Sequence, residues 1–283
     1  MKEPIIATDY HDRDVRAVFQ VIIELGQILV PFRNNVVLVG GSVPWLLLNH
    51  ARPAHLGTLD VDLGLNPKGL SEGQYAELVE TLEKQGYRRG DDLKPFQLLR
   101  LINVDDGGEP VPVIVDLLMP REAKYVKNRP PLVEGLRVQA VDGCSIAIRD
   151  NITKHLEGYM PDGRMNSVEV RIATIPATLV MKGYALSGRD KMKDAYDIYF
   201  SVRNFDGGIA ALAERCIPLL ADEIALEGFR KIAVKFRSRD DFGPTTVRRF
   251  LEDAPEFTEL TPEQVQTDAF GQVNNLLQKL RLD

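Results

Sequence analysis

The pattern of hydrophobic and polar residues predicts an α/β region followed by a helical region. Apolar positions recur at helical spacing between residues 12 and 30, so an amphipathic helix is predicted there. The apolar run Val36–Val39 ends at two glycines, which is typical of a buried strand. Residues Val43–His50 then predict a helix, with Pro44 in the first turn, where proline is tolerated.

Strand and helix patterns continue to alternate over the next segments. Thr58–Leu65 alternates between polar and apolar residues and predicts a second strand. Glu72–Gln85 predicts a helix that Gly86 can end. Gln97–Val104 and Val111–Leu118 are β-rich runs joined by a glycine-containing turn, so they predict a β-hairpin.

The spacing of apolar residues changes from a strand-like to a helical period near Ile175. Before it, Leu136–Val141 and Ser145–Ile148 predict short strands, and a Pro-Asp-Gly turn leads into another strand. After it, the apolar spacing is mostly helical. We therefore predict an α/β (α+β) fold class with a mixed sheet in residues 1–173 and a helical C-terminal domain in residues 174–283.

Composition is that of a globular protein without a membrane span. The chain has 283 residues, of which 44% are hydrophobic and 27% charged. The longest N-terminal apolar stretch, Val18–Val30, contains three polar residues and is too short to cross a bilayer. No secretory signal is visible, and Cys144 and Cys216 fit no metal-binding spacing. A cytoplasmic location is therefore expected.

The net charge of −6 argues against a surface that is basic all over. One local exception is the segment 229–250, which holds seven Lys and Arg residues against two Asp residues. Two interpretations stay open for this segment, a solvated helical surface and a patch that binds the phosphates of a nucleic acid.

Asp60 and Asp62 interrupt the second predicted strand. Residues two apart in a strand point to one side, so their carboxylates would lie close together and repel each other. A divalent cation such as Mg²⁺ would relieve that repulsion, and exposure of both side chains to solvent is the alternative. Asp116 stands in an apolar strand and would add a third carboxylate if the two strands were neighbours. The alternative for Asp116 is that it caps a turn.

A glycine-rich junction follows the first predicted strand. Gly40, Gly41 and Ser42 lie between that strand and a helix, where backbone N–H groups favour a phosphate. A tight strand-to-helix turn is the alternative explanation. The junction matches neither the P-loop pattern nor the dinucleotide fingerprint.

The order of these motifs resembles the DNA polymerase beta-like nucleotidyltransferase superfamily. A strand, Gly-Gly-Ser, a helix, a strand with Asp-x-Asp and a later strand with Asp follow one another. The stretch "LVMKGYALSGRDKMKDAYDIYFSV" is in turn similar to the signature of the AbiEii/AbiGii toxin family, related to the MenT group. Its matching residues are Lys182, Ala185, Arg189, Lys193, Asp194 and Asp197.

The resemblance implies a role for each matching residue. Asp60, Asp62 and Asp116 would bind Mg²⁺ or Mn²⁺, and Asp116 could help to deprotonate the acceptor. Lys182 would contact the triphosphate, and Asp194 would orient Lys182 or face the nucleotide. The other residues implied at the nucleotide site are Gly40, Gly41, Ser42, Thr58, Arg189 and Asp197. Two simpler interpretations stay open from the residues alone. Lys182 would then be an exposed lysine of a helix, and Asp194 and Asp197 would be charges that complement a helix N-terminus.

The resemblance further implies an activity and partners. The activity is the transfer of a nucleoside monophosphate from an NTP to a hydroxyl, in a toxin of a type IV-like toxin–antitoxin or phage-defence system. The tRNA 3′ end is one suggested acceptor, and a cognate antitoxin is one suggested protein partner. Three alternatives stay open: a small-molecule acceptor of the aminoglycoside kind, a protein acceptor, and a non-catalytic nucleotide-binding subunit. The role of the long segment 43–57 between Ser42 and the aspartates is not assigned.

Overall fold

The computed structural model describes residues 4–104, 107–123, 132–133 and 136–282. Residues cluster into two compact units, and each is described by itself. The first, here called the sheet unit, consists of His11–Ser42 and Thr58–Thr174. The second, here called the helical unit, consists of Met1–Tyr10, Val43–Gly57 and Ile175–Asp283.

The sheet unit combines a mixed β-sheet with helices. Its strands are β1 (Val36–Val39), β2 (Asp60–Leu65), β3 (Gln97–Ile102), β4 (Val111–Pro120), β5 (Leu132–Val133), β6 (Leu136–Arg137), β7 (Gln139–Val141), β8 (Asn151–Tyr159) and β9 (Met165–Ala173). Its helices are α1 (Asp12–Ile28), α3 (Glu72–Lys84) and α4 (Cys144–Arg149), and a further helix, α2 (Ser42–Leu47), begins at its residue Ser42.

The main sheet has the strand order β3-β4-β2-β1-β9-β8, with β7 also paired to β4. Strand β2 runs antiparallel to β1 and parallel to β4, and β1 runs parallel to β9. Strands β3 and β4 form an antiparallel hairpin, as do β8 and β9. The sheet is therefore mixed, as the sequence predicted.

Helix α1 packs on one face of this sheet. Its buried Glu24 accepts hydrogen bonds from the Tyr87 hydroxyl (2.8 Å) and from the guanidinium of Arg100 on β3 (2.8 and 3.0 Å). Because successive residues of a strand point to opposite faces, Arg100 and Gln97 of β3 lie on opposite faces of the sheet. Helix α1 therefore covers the face opposite to that of Gln97.

The helical unit is formed by packed α-helices. They are α5 (Ile175–Gly188), α6 (Met192–Arg203), α7 (Gly208–Cys216), α8 (Glu223–Lys235), α9 (Phe242–Leu251) and α10 (Pro262–Lys279). Helices α5 and α8 cross closely at two glycines: a Cβ on Gly183 would lie 2.0 Å from the carbonyl oxygen of Gly228. No helix among the described residues is long and apolar enough to span a membrane.

Most of the predicted elements are confirmed, with two corrections. The segment Ser145–Ile148 was predicted as a strand and lies within helix α4, which begins after Gly143 in the left-handed conformation (φ 76°). Four residues are too few to distinguish a period of 2 from one of 3.6. Strand β8 was not predicted, because its first residues are mostly polar or exposed. Two residues of the β3–β4 turn, 105 and 106, lie outside the described residues.

The α5–α8 crossing predicts a large difference between two glycine substitutions. Gly183→Ala should lower the free energy of unfolding by about 3 kcal/mol, because the added methyl group overlaps the backbone of α8. Gly271→Ala in α10 is the matched control: its Cβ would meet no atom within 4 Å, so it should stabilise the helix by about 0.5–1 kcal/mol. Urea unfolding followed by circular dichroism measures both, and equal effects would contradict the described crossing.

Candidate functional site

Three carboxylates lie on one face of the sheet unit, on two neighbouring strands. In the parallel β2–β4 pair, Asp62 is the register partner of Asp116, and Asp60 stands two residues before Asp62 on the same strand. Register partners, like residues two apart on a strand, point to the same face of a sheet. All three side chains are half-buried. The predicted cluster required these two strands to be neighbours, and they are.

Hydrogen bonds orient two of these carboxylates. The Thr58 hydroxyl donates to Asp60 Oδ1 over 2.7 Å. The amide Nε2 of Gln97 on β3 donates to Asp116 Oδ1 over 2.9 Å. Each contact fixes the orientation of the carboxylate that accepts it. Thr58 is among the residues predicted from the sequence, whereas Gln97 is not.

The glycine-rich turn lies directly against the carboxylate of Asp62. Gly40 has φ of 72°, and a Cβ built on it would lie 1.9 Å from Asp62 Oδ2. Glycine is therefore required at position 40 both by the backbone conformation and by the closeness of Asp62. Gly41 follows, and α2 begins at Ser42, whose buried hydroxyl has no hydrogen-bond partner in the described part of the chain.

The acidic face does not form a complete protein cage for a metal ion. Among the described residues, no group of three or more His, Cys, Asp and Glu side chains is arranged to hold one. The donor types nevertheless fit Mg²⁺, which is usually bound through one or two carboxylates together with substrate phosphates and water. Asp60, Asp62 and Asp116 supply such carboxylates, and the neighbouring hydroxyl of Ser42 retains its hydrogen-bonding capacity.

The predicted residues of the second motif come together within the helical unit. Lys182 Nζ lies 2.7 Å from Asp194 Oδ1 and 2.7 Å from Asp197 Oδ2. Arg189 makes two hydrogen bonds to Asp194, of 2.7 and 3.0 Å. Lys193 Nζ lies 2.8 Å from Asp197 Oδ1. Lys182 is thus a buried member of an ion-pair cluster and not an exposed helix lysine, which excludes that alternative.

Mutual neutralisation keeps this cluster charged despite burial. Burial alone would lower the pKa of Lys182, but the carboxylates of Asp194 and Asp197 outweigh burial and raise it. Burial alone would likewise raise the pKa of Asp197, whereas the ammonium groups of Lys182 and Lys193 hold it well below its usual range. Lys193 differs from Lys182, because burial outweighs the carboxylate of Asp197 and lowers the pKa of Lys193.

A further contact of the cluster comes from the segment 43–57, to which no role was assigned from the sequence. The buried His55 accepts a hydrogen bond at Nδ1 from the backbone N–H of Gly57 (3.0 Å), so its proton is on Nε2, which donates to Asp197 Oδ1 over 3.0 Å. Burial and the charge of Lys193 lower the pKa of His55 to about 4, so the ring is neutral at pH 7. No spacing in the sequence signalled this contact, because His55 and Asp197 are 142 residues apart.

His55 also packs against the aromatic residues of α6. Its ring centroid lies 5.2 Å from that of Tyr196 and 4.7 Å from that of Phe200. The segment 43–57 therefore contributes to the core of the helical unit, although in sequence it stands between two parts of the sheet unit. Trp45 and the other residues of this segment belong to the same unit.

Comparison with known proteins identifies the family of the chain. Residues 27–273 match the family described as "Nucleotidyl transferase AbiEii toxin, Type IV TA system". The search of curated proteins finds no match. The matched range covers most of the chain and includes the carboxylates of the sheet unit and the ion-pair cluster of the helical unit. The chain therefore belongs to the AbiEii family of nucleotidyl transferase toxins of type IV toxin–antitoxin systems, and it is a transferase.

Proposed function

We propose that this transferase moves a nucleoside monophosphate from an NTP to a hydroxyl of an RNA acceptor, with Mg²⁺ or Mn²⁺, on a polymerase beta-like core. The observation that carries the proposal is the register of Asp62 and Asp116 on neighbouring strands, with the Gly40 turn against Asp62. A nucleoside triphosphate as substrate, and an antitoxin as the opposing component, follow from membership of the family.

The proposed reaction is an in-line displacement at the α-phosphorus. The acceptor oxygen forms a bond to the α-phosphorus, and the bond from that phosphorus to the bridging oxygen breaks to release pyrophosphate. Asp60, Asp62 and Asp116 are proposed to hold the divalent cations, and Asp116 also to accept the proton of the acceptor hydroxyl. When bound, the cations would neutralise the negative charge on the phosphate oxygens.

The glycine-rich turn is proposed to receive the triphosphate. Gly40 and Gly41 allow a phosphate to approach the backbone closely, and the Ser42 hydroxyl has no hydrogen-bond partner within the described residues that a phosphate oxygen would displace. Thr58 is proposed to act by holding the carboxylate of Asp60. This assignment explains why Asp62 and the turn are so close.

The ion-pair cluster is proposed to supply positive charge to the nucleotide. Asp194 orients both Lys182 and Arg189 by direct hydrogen bonds, and Asp197 anchors Lys182 from α6. Arg189 is the most exposed of the three cations, with 53% of its side chain accessible, so it is the one proposed to meet a polyphosphate. Preorganised cations stabilise the charge that develops on the leaving pyrophosphate.

The proposed acceptor is RNA, with the tRNA 3′ end as the favoured case, because the segment 229–250 presents exposed cations. Arg237 and Arg239 have 72% and 55% of their side chains exposed, and they form ion pairs with the nearby Asp241 and Asp240. Such exposed pairs contribute little, so phosphates can compete for these cations. Phe242 is also exposed, with Lys235 Nζ 4.6 Å from its ring centroid, which suits contact with a base.

Removal of the paired carboxylates should abolish transfer. The Asp60→Ala/Asp62→Ala protein, incubated with each α-labelled NTP, Mg²⁺ and total tRNA, should lose at least about 1,000-fold of the wild-type rate, because the cations lose their ligands. Electrophoresis shows where the label goes. Equal labelling by both proteins would refute the proposed site, and label on protein or on a small molecule in place of RNA would refute the proposed acceptor.

Gly40→Ala should impair transfer through its contact with Asp62. The added methyl group would collide with the Asp62 carboxylate, and we expect at least about a tenfold loss of rate at saturating NTP. Gly163→Ala is the matched control, because Gly163 has a similar φ of 79° but open space around a Cβ. Both variants bear the cost of positive φ, about 1–2 kcal/mol of stability, so only the collision distinguishes them. Similar rates for the two variants would contradict the proposed role of the turn.

Neutralising the exposed cations should weaken RNA binding. Arg237→Ala/Arg239→Ala should reduce the slope of log Kd against log salt concentration by about 1–2, since up to two phosphate contacts are lost. Arg164→Ala is the control, because Arg164 is an equally exposed, ion-paired arginine outside the segment. Fluorescence anisotropy with labelled tRNA at several salt concentrations measures the slope. An unchanged slope would remove this segment from the RNA-binding surface.

A further inference from the structure

Gln97 is held on the acidic face by hydrogen bonds within the turn 94–97. Within the turn 94–97, the backbone N–H of Gln97 donates to the carbonyl of Lys94 over 2.9 Å. In return, the backbone N–H of Lys94 donates to the side-chain Oε1 of Gln97 over 3.1 Å. Both the backbone and the side chain of Gln97 are therefore tied to the same residue.

The turn is also anchored to the strands around it. The carbonyl of Phe96 accepts a hydrogen bond from the N–H of Leu117 on β4 (3.0 Å), and that of Pro95 accepts one from Arg137 (2.6 Å). Proline at position 95 fixes one backbone dihedral of the turn. The carbonyls of residues 94, 95 and 96 are thus all engaged, and the turn has little freedom to move Gln97 away from β4.

The hydrogen bond from Lys94 determines which way the amide of Gln97 faces. An N–H group can donate only to the oxygen of the amide, so Oε1 must point to Lys94 and Nε2 must point away from it. The structure places Nε2 2.9 Å from Asp116 Oδ1. Gln97 is the register partner of Asp116 across β3–β4, and Asp116 is that of Asp62 across β2–β4, so the three residues form one row across three strands.

We propose that Gln97 is a positioning residue for Asp116, which holds this carboxylate in the orientation that a divalent cation requires beside Asp62. The inference rests on the proposed function of the acidic face. A neutral donor suits this task, because an amide orients a carboxylate without cancelling the charge that attracts the cation, as a Lys or Arg at position 97 would do. Mutation of a residue that forms a hydrogen bond to a metal ligand typically lowers metal affinity or activity by about 10- to 100-fold.

Mn²⁺ binding tests the proposal without any turnover. Gln97→Met keeps the length of the side chain but removes both of its hydrogen bonds, so the Kd for Mn²⁺, measured by electron paramagnetic resonance of the free ion, should rise by about tenfold or more. In an Asp116→Ala background, Gln97→Met should have no further effect, because Gln97 acts through Asp116. In the transfer assay, Gln97→Met should lower kcat by about tenfold with KM for the NTP within about twofold of wild type.

Two controls separate positioning from stability. Asn166→Leu removes another side-chain amide of the sheet unit, which donates to Gln27 Oε1 over 2.8 Å, and it should leave Mn²⁺ affinity unchanged. Thermal unfolding of each variant identifies a fold defect, and Gln97→Leu replaces Gln97→Met if the latter fails to fold.

The results that would overturn the inference are distinct from those that would overturn the proposed function. Wild-type Mn²⁺ affinity in Gln97→Met, an equal loss in the Asp116→Ala background, or no Mn²⁺ binding by the wild-type protein would each refute the positioning role. If the wild-type protein binds Mn²⁺ through these residues and transfers no nucleotide, the proposed function fails while the positioning role stands.

Discussion

Repulsion between carboxylates on one face of the sheet is the constraint around which the sheet unit is arranged. Asp62 and Asp116 are register partners on neighbouring strands, and Asp60 stands two residues away on the same face. Like charges this close raise the free energy of the fold unless donors or cations offset them. Two of the donors on this face are neutral, a hydroxyl from Thr58 that contacts Asp60 and an amide from Gln97 that contacts Asp116.

In the helical unit, buried positive charges are the groups that need partners. Lys182 and Lys193 are buried ammonium groups, and each depends on carboxylates of α6 for its charge. A buried charge that loses its partner destabilises a protein by about 3–5 kcal/mol, so the members of the cluster hold one another in place. His55 donates a further hydrogen bond to Asp197. Because its ring is neutral at pH 7, it does not change the net charge of the cluster.

Much of this arrangement could be predicted from the sequence, because its motifs are local. The Asp-x-Asp strand, the glycine junction and the hairpin strand with Asp116 each give a pattern within ten residues. Gln97 and His55 could not be found in this way, since their partners are 19 and 142 residues distant. The helix at Ser145–Ile148 was mistaken for a strand because it is a single short helix, α4, that begins at a glycine with positive φ. The positions of Gln97 and His55 depend on tertiary contacts, which a local sequence pattern does not reveal.

The path of the chain has a consequence for dissecting the molecule. Since 43–57 belongs to the helical unit, the polypeptide passes from one unit to the other after residues 10, 42, 57 and 174. A fragment cut at residue 173 would carry His55 and its apolar neighbours without α6, on which they pack. It would expose a buried segment in the middle of the fragment, which favours aggregation. Truncation is therefore an unsuitable way to assign activity to either half, and point substitutions within the intact chain are the appropriate approach.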